Sequence, residues 1–409
     1  MLQRSLLALG GLSCSGVPGA WARAVEAIGS QDSPKVLVSI FLRGGMDGLM
    51  ALPPLEDPHL PSARPSLWIP PPRRNRDEEA LVDLDNGFGL HPAMSDLLPL
   101  WRSGDLVMVH GAGLSNPIRS HFDAQYYMES GTPERKGTPS GWMNRAFPEG
   151  GARGAFAAVA LTGSMPQSLA GPRDALVLGS LSDFGFRIPL GAMAGQGFES
   201  LYRATTSEML RDVGERSFEA DRIAASLSEK SYTPENGAEY PLAPIGRDLQ
   251  NAATILKANL GTRMFFVESG GWDTHFRQRA RYGAFHEAAL ALSSSLRAFW
   301  TDLGDRRENI VVVVMTEFGR TVAENGSGGT DHGRGSCFFV LGTDVVGGRL
   351  LGEVPLLAEE NREDGRDLPV AVDYRSVLSP VLSHHFGIDP AHAVFPGWTG
   401  ADLPLFGKG

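Results

Sequence analysis

Four stretches of the chain are apolar almost without interruption: KVLVSIFL from Lys35, TRMFFVES from Thr262, NIVVVVM from Asn309 and SCFFVLG from Ser336. Runs of this length without alternation predict strands buried on both faces of a parallel sheet. Each adjoins a Gly-rich loop that carries acid, His or Arg. RGGMDGL begins at Arg43, GGWDTHF at Gly270, TEFGRT at Thr316 and GGTDHGRG at Gly328; in the last, the loop precedes its strand. Helical spacing predicts helices over Ala93–Trp101, from Ser120, over Phe198 to Lys230, Ile245–Leu260, Tyr282–Leu303 and Arg375–Phe386. Further strands are expected at Leu106–His110, Phe156–Leu161 and Ala175–Leu178. The Pro-rich stretch from Pro53 to Pro72 predicts a surface loop without a helix. Strands alternating with helices predict an α/β fold with a mostly parallel sheet. Its sites belong in the loops at the carboxyl ends of the strands.

The 409 residues, 42% hydrophobic and 21% charged, suffice for a large core. A net charge of −10 argues against a nucleic-acid partner. Arg4, the run LLALGGL and the small-x-small triplet Ala20-Trp21-Ala22 predict an export signal over residues 1–24, similar to a twin-arginine leader but with one Arg. Cleavage removes Cys14 and leaves Cys337 alone, so no intramolecular disulfide is available. Beyond the leader, no apolar run approaches a membrane span. An exported, periplasmic protein is expected, with one domain over residues 33–407. Residues 150–243, with their scattered Gly, Ser and Pro, read as an insertion or cap.

The loops supply a metal-ligand set: Asp47, Asp273, His275, Glu317, Asp331 and His332. Asp273 and His275, two apart on a turn, can reach one cation, although Asp273 or Thr274 could equally cap a helix at Phe276. Asp331 and His332 are adjacent and diverge, so His332 is expected on the metal and Asp331 behind it. Glu317, at the end of a strand of valines, requires a partner: a metal or Arg320. Arg43, Arg119, Arg320 and Arg334 suit phosphate or sulfate oxygens, or else neutralise neighbouring acids. Ser120 stands where a helix begins, as nucleophile or as ordinary cap, and His121 as general base or ligand. His91 is expected to be structural, and His384 and His385 to lie on a helix surface. The glycines fit neither the dinucleotide fingerprint nor a P-loop, and no HExxH motif occurs.

These motifs, with His91-Pro92, RSHFDAQ at Arg119–Gln125, Glu324-Asn325 and Asp373-Tyr374-Arg375, resemble a bacterial exported family known as domain of unknown function 1501. The resemblance spans nearly the whole mature chain. That family looks like a branch of the alkaline-phosphatase-like superfamily of phosphatases, sulfatases and phosphomutases. The resemblance implies a three-layer sandwich with a metal pair at the strand ends. By position Asp47 matches the first-strand metal Asp, Ser120 falls near the nucleophile, and Asp273, His275 and His332 resemble the ligands of one metal. Glu317-Phe318 stands where the superfamily has Asp-His, so the second metal departs from the pattern. The implied function is hydrolysis of phosphate or sulfate esters with one or two divalent ions (Zn, Mn, Mg or Ca), acting on a small anionic ester or a glycan. The alternative is a non-catalytic binding or assembly protein that keeps the fold.

Overall fold

The computed structural model describes residues 34–72, 80–147, 155–179, 181, 192–228 and 232–407. The expected export signal lies outside them. Eleven strands are present among these residues: β1 (Val36–Leu42), β2 (Val82–Asp83), β3 (Gly89–Leu90), β4 (Leu106–Gly113), β5 (Ala158–Leu161), β6 (Leu176–Val177), β7 (Met264–Ser269), β8 (Ile310–Thr316), β9 (Ser336–Leu341), β10 (Arg349–Leu351) and β11 (Val372–Asp373). β2 and β3 form a separate hairpin. The others build one sheet in the order β10-β4-β9-β8-β1-β7-β5-β6, with β11 also on β4.

The sheet is parallel except at β9, which runs against both β4 and β8. This reversal explains why one of the four polar loops precedes its strand. The start of an antiparallel strand lies at the same sheet edge as the ends of its parallel neighbours. Leu42 pairs with Ser269 on one side and with Thr316 on the other, so β1, β7 and β8 end level. Their loops emerge side by side.

Both faces of the sheet are covered, as unbroken apolar strands require. Val36, Val38, Ile40 and Leu42 of β1 face a core completed by the helices Pro244–Lys257 and Ala284–Leu303. Leu37 and Phe41 face a second core with the helices His121–Ser130, Trp142–Arg145 and Tyr374–Phe386. The α/β fold with a mostly parallel sheet stands as expected.

Some expectations give way. The helix expected from Phe198 to Lys230 is two helices, Ala192–Ala204 and Glu208–Ser228. Thr205 and Ser207 turn their hydroxyls onto the nearby backbone N–H groups of Ser207 and Leu210, which ends one helix and starts the next. Within residues 150–243 the two expected strands form as β5 and β6, which extend the sheet beside β7. A short helix, Leu60–Ala63, interrupts the Pro-rich stretch. His385 is buried and bonds the Val36 carbonyl rather than lying on a helix surface. Among the described residues no helix is long and apolar enough to cross a membrane.

The segment that leads into the helix Pro244–Lys257 is fastened at Asp302. This carboxylate is fully buried on the Ala284–Leu303 helix. It accepts hydrogen bonds from the Tyr232 and Tyr240 hydroxyls (2.5 and 2.8 Å), the Glu235 N–H (2.6 Å) and the Lys257 ammonium (2.5 Å). Asp302→Ala leaves these donors without their shared acceptor and is expected to cost about 3–5 kcal/mol. The midpoint of urea unfolding checks it, and a loss below about 1 kcal/mol would contradict a structural role for the network.

Candidate metal centre

Three imidazoles converge on one carboxylate oxygen at the level edge of the sheet. His275 Nε2 lies 3.2 Å from Asp273 Oδ1, His332 Nε2 3.3 Å and His121 Nε2 3.5 Å. His275 Nε2 and His332 Nε2 are 2.8 Å apart. Asp273 and His275 come from the loop after β7, His332 from the loop before β9, and His121 from the first turn of the helix that follows β4. Ligand atoms roughly 2.05 Å from one tetrahedral ion sit about 3.3 Å from each other. The three separations from Asp273 bracket that value, whereas the 2.8 Å between His275 Nε2 and His332 Nε2 is shorter than two ligands of one such ion would keep.

The other ring nitrogen of each histidine is fixed. His121 Nδ1 bonds Glu317 Oε1 (2.8 Å), His275 Nδ1 bonds Asp331 Oδ1 (3.0 Å) and His332 Nδ1 bonds the Arg119 carbonyl (2.8 Å). All three partners are acceptors, so with an ion bound each ring would donate from Nδ1 and turn Nε2 to the metal; without one, a proton is shared across the 2.8 Å contact between His275 Nε2 and His332 Nε2. His121 Nε2 is buried and has no hydrogen bond. A buried acceptor left unpaired this way fits a cation. Neutral rings oriented from behind by a carboxylate or carbonyl are the usual support of metal-binding histidines. Among the described residues His121, Asp273 and His332 form a group of acids and histidines close enough to hold one ion. His275 adjoins two of them.

The charges around the centre agree with this assignment. Burial pushes the Glu317 carboxyl up, but bonds from His121, Gln125 and the Gly44 N–H outweigh it and hold the group below the ordinary range. Asp273 is also raised by burial and then pulled below its ordinary value, chiefly by Arg320 at 2.5 Å. The bond to Glu317 raises His121, whereas burial lowers His332. Asp331 is lowered by its bonds from Asn325 and His275.

The expected site residues therefore separate. Asp273, His275, His332 and His121 meet. His121 joins them through Nε2, while its Nδ1 is held by Glu317. Glu317 and Asp331 stand one shell behind. Asp47 is elsewhere: it is buried, bridged by the Arg64 guanidinium (3.0 and 2.8 Å) and bonded by Gln278 (2.7 Å). Phe318 packs against the rings of His121 and His332. Nothing caps a helix at Phe276, since the 270–283 segment is irregular.

None of the four arginines is free for substrate. Arg43 pairs with Glu129 and Glu268, Arg119 with Asp364 and Asp367, and Arg334 with Glu363 and three carbonyls. Arg320 is buried and bonds the carbonyls of Gly44, Gly45, Trp272 and Thr330 besides Asp273. Gly44 permits this closeness: its φ is +122°, and a Cβ there would lie 2.4 Å from the Asp273 nitrogen. Ser120 is exposed, and its hydroxyl makes no capping bond. Gln125 and Asn325 stand in the motifs RSHFDAQ and Glu324-Asn325 without a role assigned from sequence, and Arg64 and Gln278 carry no motif signal.

Residues 193–397 match the model of a family described as "Protein of unknown function (DUF1501)". No curated protein matches the chain. Among solved structures, the chain is similar to the C-terminal periplasmic domain of EcEptC from Escherichia coli, with 12% identity and a TM-score of 0.40 over 91% of this chain and 90% of that one. It is also similar to Ps i-CgsB in complex with k-i-k-neocarrahexaose, with 10% identity and a TM-score of 0.38 over 91% and 76%. The lipoteichoic acid synthase LtaP from Listeria monocytogenes gives 9% identity and a TM-score of 0.34 over 83% and 73%.

Two predictions follow from the division into ligands, supports and bystanders. His121→Ala and His332→Ala are expected to abolish stoichiometric binding of a divalent ion, while Glu317→Gln weakens it roughly 10- to 100-fold. Asp47→Asn is expected to leave binding unchanged and to cost about 3 kcal/mol of stability through the stranded Arg64. Titration calorimetry and chemical unfolding separate these effects; loss of the ion in Asp47→Asn would contradict the assignment. Affinity is also expected to fall as pH drops through about 6.5, where free imidazoles gain protons. His121, raised by Glu317, is protonated first on the way down. The depressed carboxyls of Asp273, Glu317 and Asp331 contribute stability that is present above about pH 4 and lost only below it. Calorimetry at pH 7.5 and 5.5 is therefore expected to show loss of the ion without unfolding.

Proposed function

The chain belongs to the DUF1501 family, and on that premise we propose that it is an exported hydrolase of phosphate or sulfate esters that depends on one divalent metal ion. The observation that carries the reading is the convergence of three Nδ1-anchored histidines on Asp273. His121, Asp273, His275 and His332 are the proposed ligands. When bound, such an ion polarises an ester oxygen and lowers the pKa of a nearby hydroxyl or water.

A donor set of three imidazole nitrogens and one carboxylate suits zinc among the expected ions, and suits Mg or Ca poorly. The oxygen donors expected for a second ion are engaged: Asp47 by Arg64 and Gln278, Glu317 by His121, Gln125 and Gly44. One ion is therefore proposed. Ser120 is the proposed nucleophile. It adjoins His121 on one side and Arg119, whose carbonyl holds His332, on the other. The centre opens to solvent, with 48% of the Asp273 side chain and 38% of His275 exposed. Substrate has direct access there. Export to the periplasm rests on the leader motifs of residues 1–24, and the helical pair within 150–243 is the proposed cap.

Hydrolysis of p-nitrophenyl phosphate and p-nitrophenyl sulfate by the zinc-loaded mature protein tests the proposal. Activity on either ester, lost in His332→Ala, is expected. Ser120→Ala is expected to lose activity while keeping its zinc. Zinc-loaded protein inert toward a broad panel of both ester classes would overturn the hydrolase reading and leave the non-catalytic one.

A further inference from the structure

The segment after His275 is built unlike the other loops of the edge. Arg277, Arg279 and Tyr282 all have left-handed backbones, with φ of +49°, +56° and +51°. Such conformations are uncommon for residues with a Cβ and persist where surrounding structure imposes them. Two buried anchors impose them here. Gln278 is fully buried: it bonds Asp47 through its amide nitrogen and accepts from the Thr274 and Thr330 hydroxyls. His91 is equally buried, and burial lowers its pKa to about 4, so the ring stays neutral. Its Nδ1 accepts from the Ala93 N–H, and its Nε2–H donates to the Ala280 carbonyl (3.0 Å). The main chain is tied as well, with Arg277 N–H on Ser327 O and Gln278 N–H on Gly328 O.

The backbone the anchors hold in place carries several exposed side chains. Phe276 and Tyr282 are 67% and 68% exposed, and Arg277 and Arg279 are exposed between them. Among the described residues neither guanidinium has an ion pair or a side-chain hydrogen bond. This contrasts with Arg43, Arg119, Arg320 and Arg334, each tied to an acid. In a chain of net charge −10, two unpaired arginines on a rigid turn beside the candidate ligand His275 are set apart. We propose that Phe276, Arg277, Arg279 and Tyr282 form a recognition surface for an anionic saccharide, beyond the ester that is cleaved. Guanidinium groups meet the anionic substituents of the sugar, and the aromatic rings stack on its apolar C–H faces. The fixed backbone limits the entropy lost on binding. The inference rests on the proposed ester hydrolysis for its place in the function, but binding at this surface needs no turnover.

The test is titration of the full mature protein with a heparin-derived sulfated hexasaccharide, the same hexasaccharide desulfated, and inorganic polyphosphate. The sulfated sugar is expected to bind and the desulfated one to bind at least tenfold more weakly, roughly the worth of one charge-assisted contact. Arg277→Ala/Arg279→Ala is expected to weaken the sulfated sugar by about tenfold or more, with zinc content unchanged. Arg102→Ala, on a helix before β4, is the charge control and is expected to have no effect. Phe276→Ala/Tyr282→Ala is expected to weaken the sulfated sugar roughly fivefold and leave polyphosphate unaffected. Undiminished binding in the double arginine variant overturns the proposal. So does polyphosphate binding as tightly as the sugar, with the aromatic pair irrelevant to both. Saccharide binding with no hydrolysis of any ester would count against the hydrolase reading alone. Hydrolysis of aryl esters without saccharide binding would count against this surface alone.

Discussion

The centre depends on a buried guanidinium. Arg320 is 1% exposed, so its five N–H groups need acceptors inside the protein. The acceptors come from three loops: Gly44 and Gly45 after β1, Trp272 and Asp273 after β7, and Thr330 before β9. A single side chain thus sets the spacing of three strand ends. It also fixes Asp273, the atom around which the histidines gather. The cationic guanidinium behind Asp273 keeps that carboxylate ionised, and the three imidazoles remain available on its open side.

Support for the centre comes in layers. Glu317 orients His121 and is itself oriented by Gln125 and Gly44. Asp331 orients His275 and is held by Asn325. These outer groups determine which nitrogen of each ring faces inward, and so decide whether the cluster can take a cation at all. The reversed strand β9 delivers His332 and Asp331 to an edge otherwise served by parallel strands.

Much of this was legible in the sequence. The unbroken apolar runs located β1, β7, β8 and β9 to within two residues, because strands buried on both faces leave no room for polar alternation. The order of loop and strand at Gly328–Gly342 was visible, but that it reflects an antiparallel β9 came only from the pairing with β4 and β8. Asp273, His275 and His332 were legible because Gly-rich loops at strand ends carry few other ligand types. Asp47 misled, since its partner Arg64 lies in a Pro-rich stretch with no periodic signal. The four arginines misled in the same way. Their acids lie from 29 residues away (Glu363 for Arg334) to 248 (Asp367 for Arg119), and pairing over such separations is decided by tertiary packing. The break at Thr205–Ser207 was a local signal, but the helical pattern on either side outweighed it.

The proposed centre gathers its ligands on one ion, and the most direct measurement is X-ray absorption at the zinc edge on the zinc-loaded mature protein. Four light-atom neighbours at about 2.0–2.1 Å, with the multiple scattering of three imidazoles, are the predicted result. Loss of one imidazole signal in His121→Ala would identify that ring as a ligand. A shell of oxygens alone, or scattering from no more than one imidazole, would contradict the assignment of His121, His275 and His332 to a single metal.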